Sequence, residues 1–238
     1  MIIDATDIEY QRLNRMVKNT TEDIVINNCI GQRYIASGLS NRKITINGTP
    51  GSALAAYLDG AEITVHGNVQ DATGDTMNDG LIVIHGDASD ALGYAMRGGK
   101  IYVKGSAGYR TGIHMKEYKT KKPVIILGES AGSFLGEYLA GGIIIVLGLN
   151  CSGLTVGNFP GTGMHGGKIF LRGNKIPSNL PPQISKAIAS DSDMEEINCY
   201  IKEFCDLFNI DYNYVISEEF TVLKPDSRNP YHQLYVSN

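Results

Sequence analysis

Two histidines, His66 and His85, stand nineteen residues apart, and each closes a short run of alternating residues, Ile63-Thr64-Val65 and Ile82-Val83-Ile84. If those runs stack as neighbouring strands, the imidazoles lie side by side and offer two nitrogens to a metal ion. A catalytic zinc takes three protein ligands, and the matching residues of the flanking runs are Asn47 and Lys104. Lysine is a poor ligand, so His66 and His85 are read as a surface ladder and rejected as a metal site. His114 and His165 fall elsewhere in the pattern and supply no third ligand. Four carboxylates, Asp71, Asp75, Asp87 and Asp90, cluster mid-chain. Paired acids hydrolyse glycosidic bonds, so these residues raise a carbohydrate-active enzyme as one reading. All four sit at or beside turns, where aspartate bonds the backbone, and the outward strand positions Thr64, Val83 and Tyr102 carry no acid. There is no tryptophan to form a sugar platform. Cysteines 29, 151, 199 and 205 lack metal-type spacing and read as reduced thiols. Neither a Gly-x-Ser-x-Gly nor a phosphate-loop motif occurs. The glycines of 157–163 look like a dinucleotide fingerprint in part, yet they recur with the repeat described next. No catalytic, cofactor-binding or metal-binding residue is assigned to the chain.

What positions these residues is a repeat. Gly48, Gly67, Gly86 and Gly105 are nineteen residues apart, and Gly128, Gly148 and Gly173 continue the series at wider steps. Each closes a strand-like run such as Ile101-Tyr102-Val103-Lys104, and Ile24-Val25-Ile26-Asn27, with Asn28 in place of glycine, reads as a first irregular copy. A short strand recurring at this period buries its apolar side only against the next copy, which makes a solenoid. Side chains alternate along a strand, so Ile82 and Ile84 face inward while Val83 and His85 lie on the outer face. In register before each strand come a small residue, a large apolar one and a turn, as in Gly93, Met96 and Arg97-Gly98-Gly99. Glycine at such a corner suits positive φ. A left-handed β-helix has eighteen-residue coils with three like faces, the class that includes acyltransferases. A nineteen-residue period with one strong face predicts instead a mainly β, right-handed parallel β-helix of about seven coils.

The ends differ. Residues 1–23 predict a helical cap starting from Thr6, with Glu9 completing a capping box. Residues 24–176 form the β-helix. After Pro177, Pro181 and Pro182, residues 177–238 predict an amphipathic helix over 191–208, with Ile197, Ile201, Phe204 and Phe208 on one stripe. An extended piece at 220–223 and the segment Arg228-Asn229-Pro230-Tyr231 follow. That tail either packs along the solenoid or reaches a partner. The coil from Gly105 to Gly128 is four residues wider, the surplus falling in Lys116–Pro123. This basic loop is either solvated or a contact for an acidic partner. A net charge of −4 gives no case for nucleic acid. No apolar run is long enough to span a membrane, and the N-terminal residues lack signal-peptide character. The expected location is the cytoplasm.

The series Gly-x-x-Met-x-Gly-Gly-x-Ile-x-Val-x-Gly of 93–105, echoed at 161–173, resembles the GXGXG domain. That is the C-terminal β-helix domain of the glutamate synthase large subunit, which is similar also to the β-helical subunit of formylmethanofuran dehydrogenase. The resemblance covers about residues 24–173. It implies a domain without catalytic residues, which in glutamate synthase packs between the glutaminase and the flavin-dependent synthase. Ile2 stands where a glutaminase would carry its cysteine nucleophile, and no cysteine set for an iron–sulfur cluster is present. The resemblance therefore implies a structural subunit in glutamate and nitrogen metabolism, free of cofactors itself. Its expected partners are a glutamine amidotransferase-like subunit and a flavin-dependent synthase subunit, with FMN and an iron–sulfur cluster on those partners. The alternatives are the β-helical subunit of a formylmethanofuran-dehydrogenase-type complex and a carbohydrate-active lyase or hydrolase.

Overall fold

A computed structural model describes residues 1–178 and 180–226. Arg228–Tyr231 lie outside the described residues. One sheet of eleven strands runs through the molecule. Its parallel part is β1 (Ile2–Asp4), β2 (Ile24–Ile30), β3 (Lys43–Thr49), β4 (Asp59–His66), β5 (Asp79–Ile84), β6 (Lys100–Val103), β7 (Val124–Leu127), β8 (Ala140–Val146) and β9 (Gly166–Arg172). Each pairs with the next in chain order, so the chain is a parallel β-solenoid, and β2 to β9 contribute eight rungs. The copy at 24–27 is thus a full rung. Its irregularity is a bulge, with Asn28 left-handed at φ 56° and Cys29, not Asn28, paired with Gly48.

Register explains the core. Ile24, Ile44, Ile63, Ile82, Ile101, Ile125, Ile144 and Ile169 stack as one column, and Ile26, Ile46, Val65, Ile84, Val103, Leu127, Val146 and Leu171 as a second. All sixteen are buried. Successive rungs stand roughly 4.8 Å apart, and each buried aliphatic contributes about 1.5–3 kcal/mol. A second line of parallel bridges, Val69–Ala88–Ala107–Ala131–Val156, stitches another wall.

Helix α1 (Tyr10–Lys18) closes the first rung with Leu13 and Val17 buried. It begins later than the capping box predicts. Thr6 spends both its hydroxyl and its amide on Asp4 Oδ1 (2.7 and 3.0 Å), in the turn after β1, and Asp7 is left-handed. Glu9 stands at the N-cap without a side-chain bond. At the other end Arg42 Nη1 donates to the carbonyl of Val17 (2.8 Å), an orphan acceptor of the last turn, and to that of Thr20 just beyond the helix.

The tail packs along the solenoid. β10 (Ile184–Ile188) leads to α2 (Asp191–Phe208), α3 (Tyr212–Ile216) and β11 (Phe220–Pro225). β11 lies antiparallel on β9, and β10 antiparallel on β11, ending the parallel stack. The predicted stripe Ile197, Ile201, Phe204 and Phe208 is buried on the outer face of the sheet. Val83, Tyr102, Ile126, Ile145 and Phe170 point outward, as the alternation requires, yet they form a second core beneath α2. Charged pairs fence its rim. Glu203 Oε2 takes Lys100 Nζ (2.6 Å) and the Tyr102 hydroxyl (2.9 Å). Asp193 completes a capping box with Ser190 and meets Lys168 (2.7 Å) and Lys224 (2.9 Å). Burial alone would raise the Asp193 pKa, but those two ammoniums and Ser190 outweigh it and hold the carboxyl well below the usual range.

The wide coil's lysines are partly engaged within the chain: Lys122 pairs with Glu196 (2.7 Å), and Lys121 with Asp79 (2.9 Å). That loop ties α2 and the start of β5 together.

Candidate functional site

Strand pairing places His66 and His85 side by side, as their spacing predicts. Their rings stack at 4.6 Å with 25° between planes, and Phe208 sets its edge on His85 at 5.2 Å. The column runs from Asn47, which donates to Asn27 (2.7 Å), through the histidines to Lys104. Imidazole nitrogens lie in the ring plane, so stacked rings turn faces, not lone pairs, towards each other. Among the described residues no three of His, Cys, Asp and Glu gather as a metal-ligand group. Burial, then the neighbouring His66 and Lys104, holds the His85 pKa below that of free histidine. The protonated form is therefore disfavoured in the folded state. The His85 contribution is fully present above the unfolded pKa of about 6.5. It declines as pH falls from there to the lower folded pKa. Thermal melts from pH 8 to pH 5 should show this decline, and His85→Gln should flatten that part of the profile.

Beside His85 a cleft of about 460 Å³ opens between the strand ends and the turn that follows α2, bounded by Asp87, Lys104, Glu129, Leu149 and Tyr214. Its acids already serve the coil. Asp87 Oδ1 accepts the Ser106 amide (2.8 Å), and Glu129 Oε1 accepts Asn150 Nδ2 (3.2 Å). The other predicted carboxylates are employed likewise. Asp71 accepts the Ser89 hydroxyl and the Asp90 amide (3.3 Å), and Asp90 accepts the Tyr109 amide (2.8 Å). Asp75 takes the Thr76 hydroxyl (2.7 Å). These bonds tie one coil to the next or close a turn, the work that the turn reading assigns to aspartate.

The wall opposite the strands has a geometry that the sequence showed only in part. In seven successive coils three alternate residues are left-handed: 34, 36 and 38; 53, 55 and 57; 72, 74 and 76; 91, 93 and 95; 110, 112 and 114; 134, 136 and 138; 159, 161 and 163. The middle residue faces the core. A Cβ on Gly93 would lie 2.6 Å from Ile125 Cδ1, and one on Gly112 2.5 Å from Ile144 Cδ1. The first and third residues face out and include the exposed Tyr34, Tyr57, Arg110, His114 and Phe159. Neighbours on the wall stack: Phe134 on Phe159 at 5.5 Å, His114 on Tyr138 at 5.0 Å and Arg110 over Phe134 at 5.4 Å. The signal available in the sequence was the appearance of Tyr57, Phe134, Tyr138 and Phe159 at register positions that other coils fill with alanine or glycine.

No cysteine pairs with another among the described residues. Burial pushes the thiols of Cys29 and Cys205 up to about 11, while Cys199 is exposed on α2. The thiolate is the nucleophile, so iodoacetamide at pH 7.5 should label Cys199 promptly and spare Cys29 and Cys205 until urea unfolds the chain. Peptide mapping by mass spectrometry would check this.

No described helix is long and apolar enough to cross a membrane. Comparison with known proteins agrees with the coil pattern. The chain is 42% identical to the uncharacterised protein MJ1350 of Methanocaldococcus jannaschii, over 99% of its own length and 96% of that protein. Its fold matches a chain of the formyltransferase/hydrolase complex (FhcABCD) from Methylorubrum extorquens, solved in complex with methylofuran. That match covers 91% of this chain and 88% of the other, with a TM-score of 0.63 and 20% identity. The GXGXG motif family model matches residues 5–227. With the left-handed wall, the stacked rungs and that match together, the chain belongs to the GXGXG motif family.

Proposed function

We propose that this chain is a non-catalytic β-solenoid subunit of a multi-subunit enzyme, of the kind that handles one-carbon formyl groups. The observation that carries this is the employment of the candidate acids: Asp71, Asp87, Asp90 and Glu129 each hold backbone or side-chain groups of the solenoid. Acids engaged in this way support a chain that serves an enzyme by holding other polypeptides. The fold's match to a formyltransferase/hydrolase complex supports that class of assembly. The second reading keeps the same structural role in a glutamate-synthase-type assembly, with a glutamine amidotransferase-like partner and a flavin-dependent synthase partner bearing FMN and an iron–sulfur cluster. The family match is compatible with it, while the structural match supports the first reading.

The test is isolation of the tagged chain from its own host under native conditions, with identification of the stoichiometric companions. Hydrolase- and transferase-like polypeptides with formyl transfer activity are expected. Flavin absorbance and glutamine-dependent activity would select the second reading. Isolation of the chain alone, with turnover of its own, would overturn both.

A further inference from the structure

We infer that the left-handed wall is the surface on which a separate, basic polypeptide docks; this rests on the subunit reading above. The opposite sheet face is already covered by α2 across Val83, Tyr102, Ile126, Ile145 and Phe170. On the wall three aromatic side chains are uncovered, Tyr57 at 58% exposed, Tyr94 at 40% and Phe159 at 52%, while Phe134 and Tyr138 are half-buried. Stacking between neighbours accounts for part of their place, as for Phe134 on Phe159 and His114 on Tyr138, but Tyr57 has no such ring partner among the described residues. Tyr57, Phe134, Tyr138 and Phe159 stand at φ 57°, 63°, 54° and 59°, a conformation that is strained for a bulky side chain. Other coils meet the same position with Ala53, Ala72, Ala91 or Gly163. Of the four aromatics, Tyr57 and Phe159 also leave their rings exposed, and a strained residue with an exposed ring points to work done with something outside the chain.

The wall's exposed Tyr and Phe side chains are of the types enriched at interface centres, where Lys is depleted. The seven wall segments from 34–38 to 159–163 contain no lysine. Their single arginine, Arg110, is paired with Glu137 at 2.9 Å. Asp71, Asp75 and Asp90 flank the aromatic columns and have no ion-pair partner among the described residues. The wall is therefore largely apolar, and its middle coils carry a negative margin beside Tyr57 and Tyr94, with Arg33, Arg97 and Lys116 placed on other coils or the opposite flank. A partner face that buries Tyr57 and Phe159 must bring arginine or lysine against those carboxylates.

The experiment compares the isolated chain with the native assembly purified through its tag, by hydroxyl-radical footprinting and carbodiimide cross-linking. Oxidation of Tyr57, Tyr94 and Phe159 should fall about five-fold or more in the assembly, as water is excluded. Asp71, Asp75 or Asp90 should link to lysines of a different polypeptide. The double variant Tyr57→Gly, Phe159→Gly should keep its melting temperature, because glycine relieves the left-handed strain, yet lose the partner. An assembly that forms with the wall as reactive as before overturns this inference and leaves the subunit reading standing. So does loss of the partner only in proportion to lost stability. Links solely to a second copy of this chain overturn the choice of occupant. Absence of any assembly overturns both readings.

Discussion

Gly80→Ala destabilises the solenoid by about 2–5 kcal/mol, the combined cost of a left-handed alanine and of overpacking. Gly80 is the second residue of β5, at φ 108°, and a Cβ there would stand 2.3 Å from the Ala61 carbonyl oxygen of the preceding rung. That oxygen belongs to backbone locked in the rung below, so it cannot swing aside as the end of a flexible side chain would. The strain and the clash are separable. Gly38 has φ 68°, and nothing lies within 4 Å of where its Cβ would be, so Gly38→Ala should cost only the left-handed term, about 1–2 kcal/mol. Urea unfolding of the two variants would show it. The Gly80 midpoint should fall well below the Gly38 midpoint, with unchanged slopes. Equal midpoints would mean that the β4–β5 irregularity between Asp59 and Glu62 relaxes to admit the added methyl group.

These glycines also show what can be read from one sequence. The corner motif predicted positive φ, and Gly99, Gly142 and Gly167, the second glycines of their pairs, have it. The first glycines do not. Gly98 and Gly166 are small because a Cβ would meet the Asn78 and Ala140 carbonyls at 2.5 and 2.3 Å. Close approach between rungs is a property of the stack, and no single coil reveals it. The inward ladders were legible because Ile82 and Ile84 repeat at the coil period and strand alternation fixes their side. The fate of the outward residues was not. Tyr102 and Val83 look like surface residues until α2, a hundred residues later, is laid over them. The stripe Ile197–Phe208 announced a helix needing an apolar surface without naming which. The aspartates were legible as turn residues, since local hydrogen bonding decides their place. The aromatic wall was not, because its exposure follows from left-handed dihedrals that alternate along the coil.

The second core makes the tail indispensable. Phe204 is fully buried, meeting Tyr102 at 6.1 Å and Phe208 at 4.8 Å. Phe204→Ala should cost about 3–5 kcal/mol, the range for a large aromatic removed from a packed interior. Calorimetric or urea unfolding would measure it, and Leu207→Ala, on the exposed side of the same helix, is the control expected to stay within about 0.5 kcal/mol. Cutting the chain after Ile176 goes further. It strips the cover from Val83, Tyr102, Ile126, Ile145 and Phe170 and leaves β9 without β11. An apolar sheet face ending in an unpaired edge is a template for association. The truncated chain should therefore leave the soluble fraction or elute as aggregate on gel filtration, although every rung from β2 to β9 is retained. A soluble, monomeric truncation would show that the rungs carry the fold alone. It would turn α2 from a structural layer into an accessory that a partner could displace.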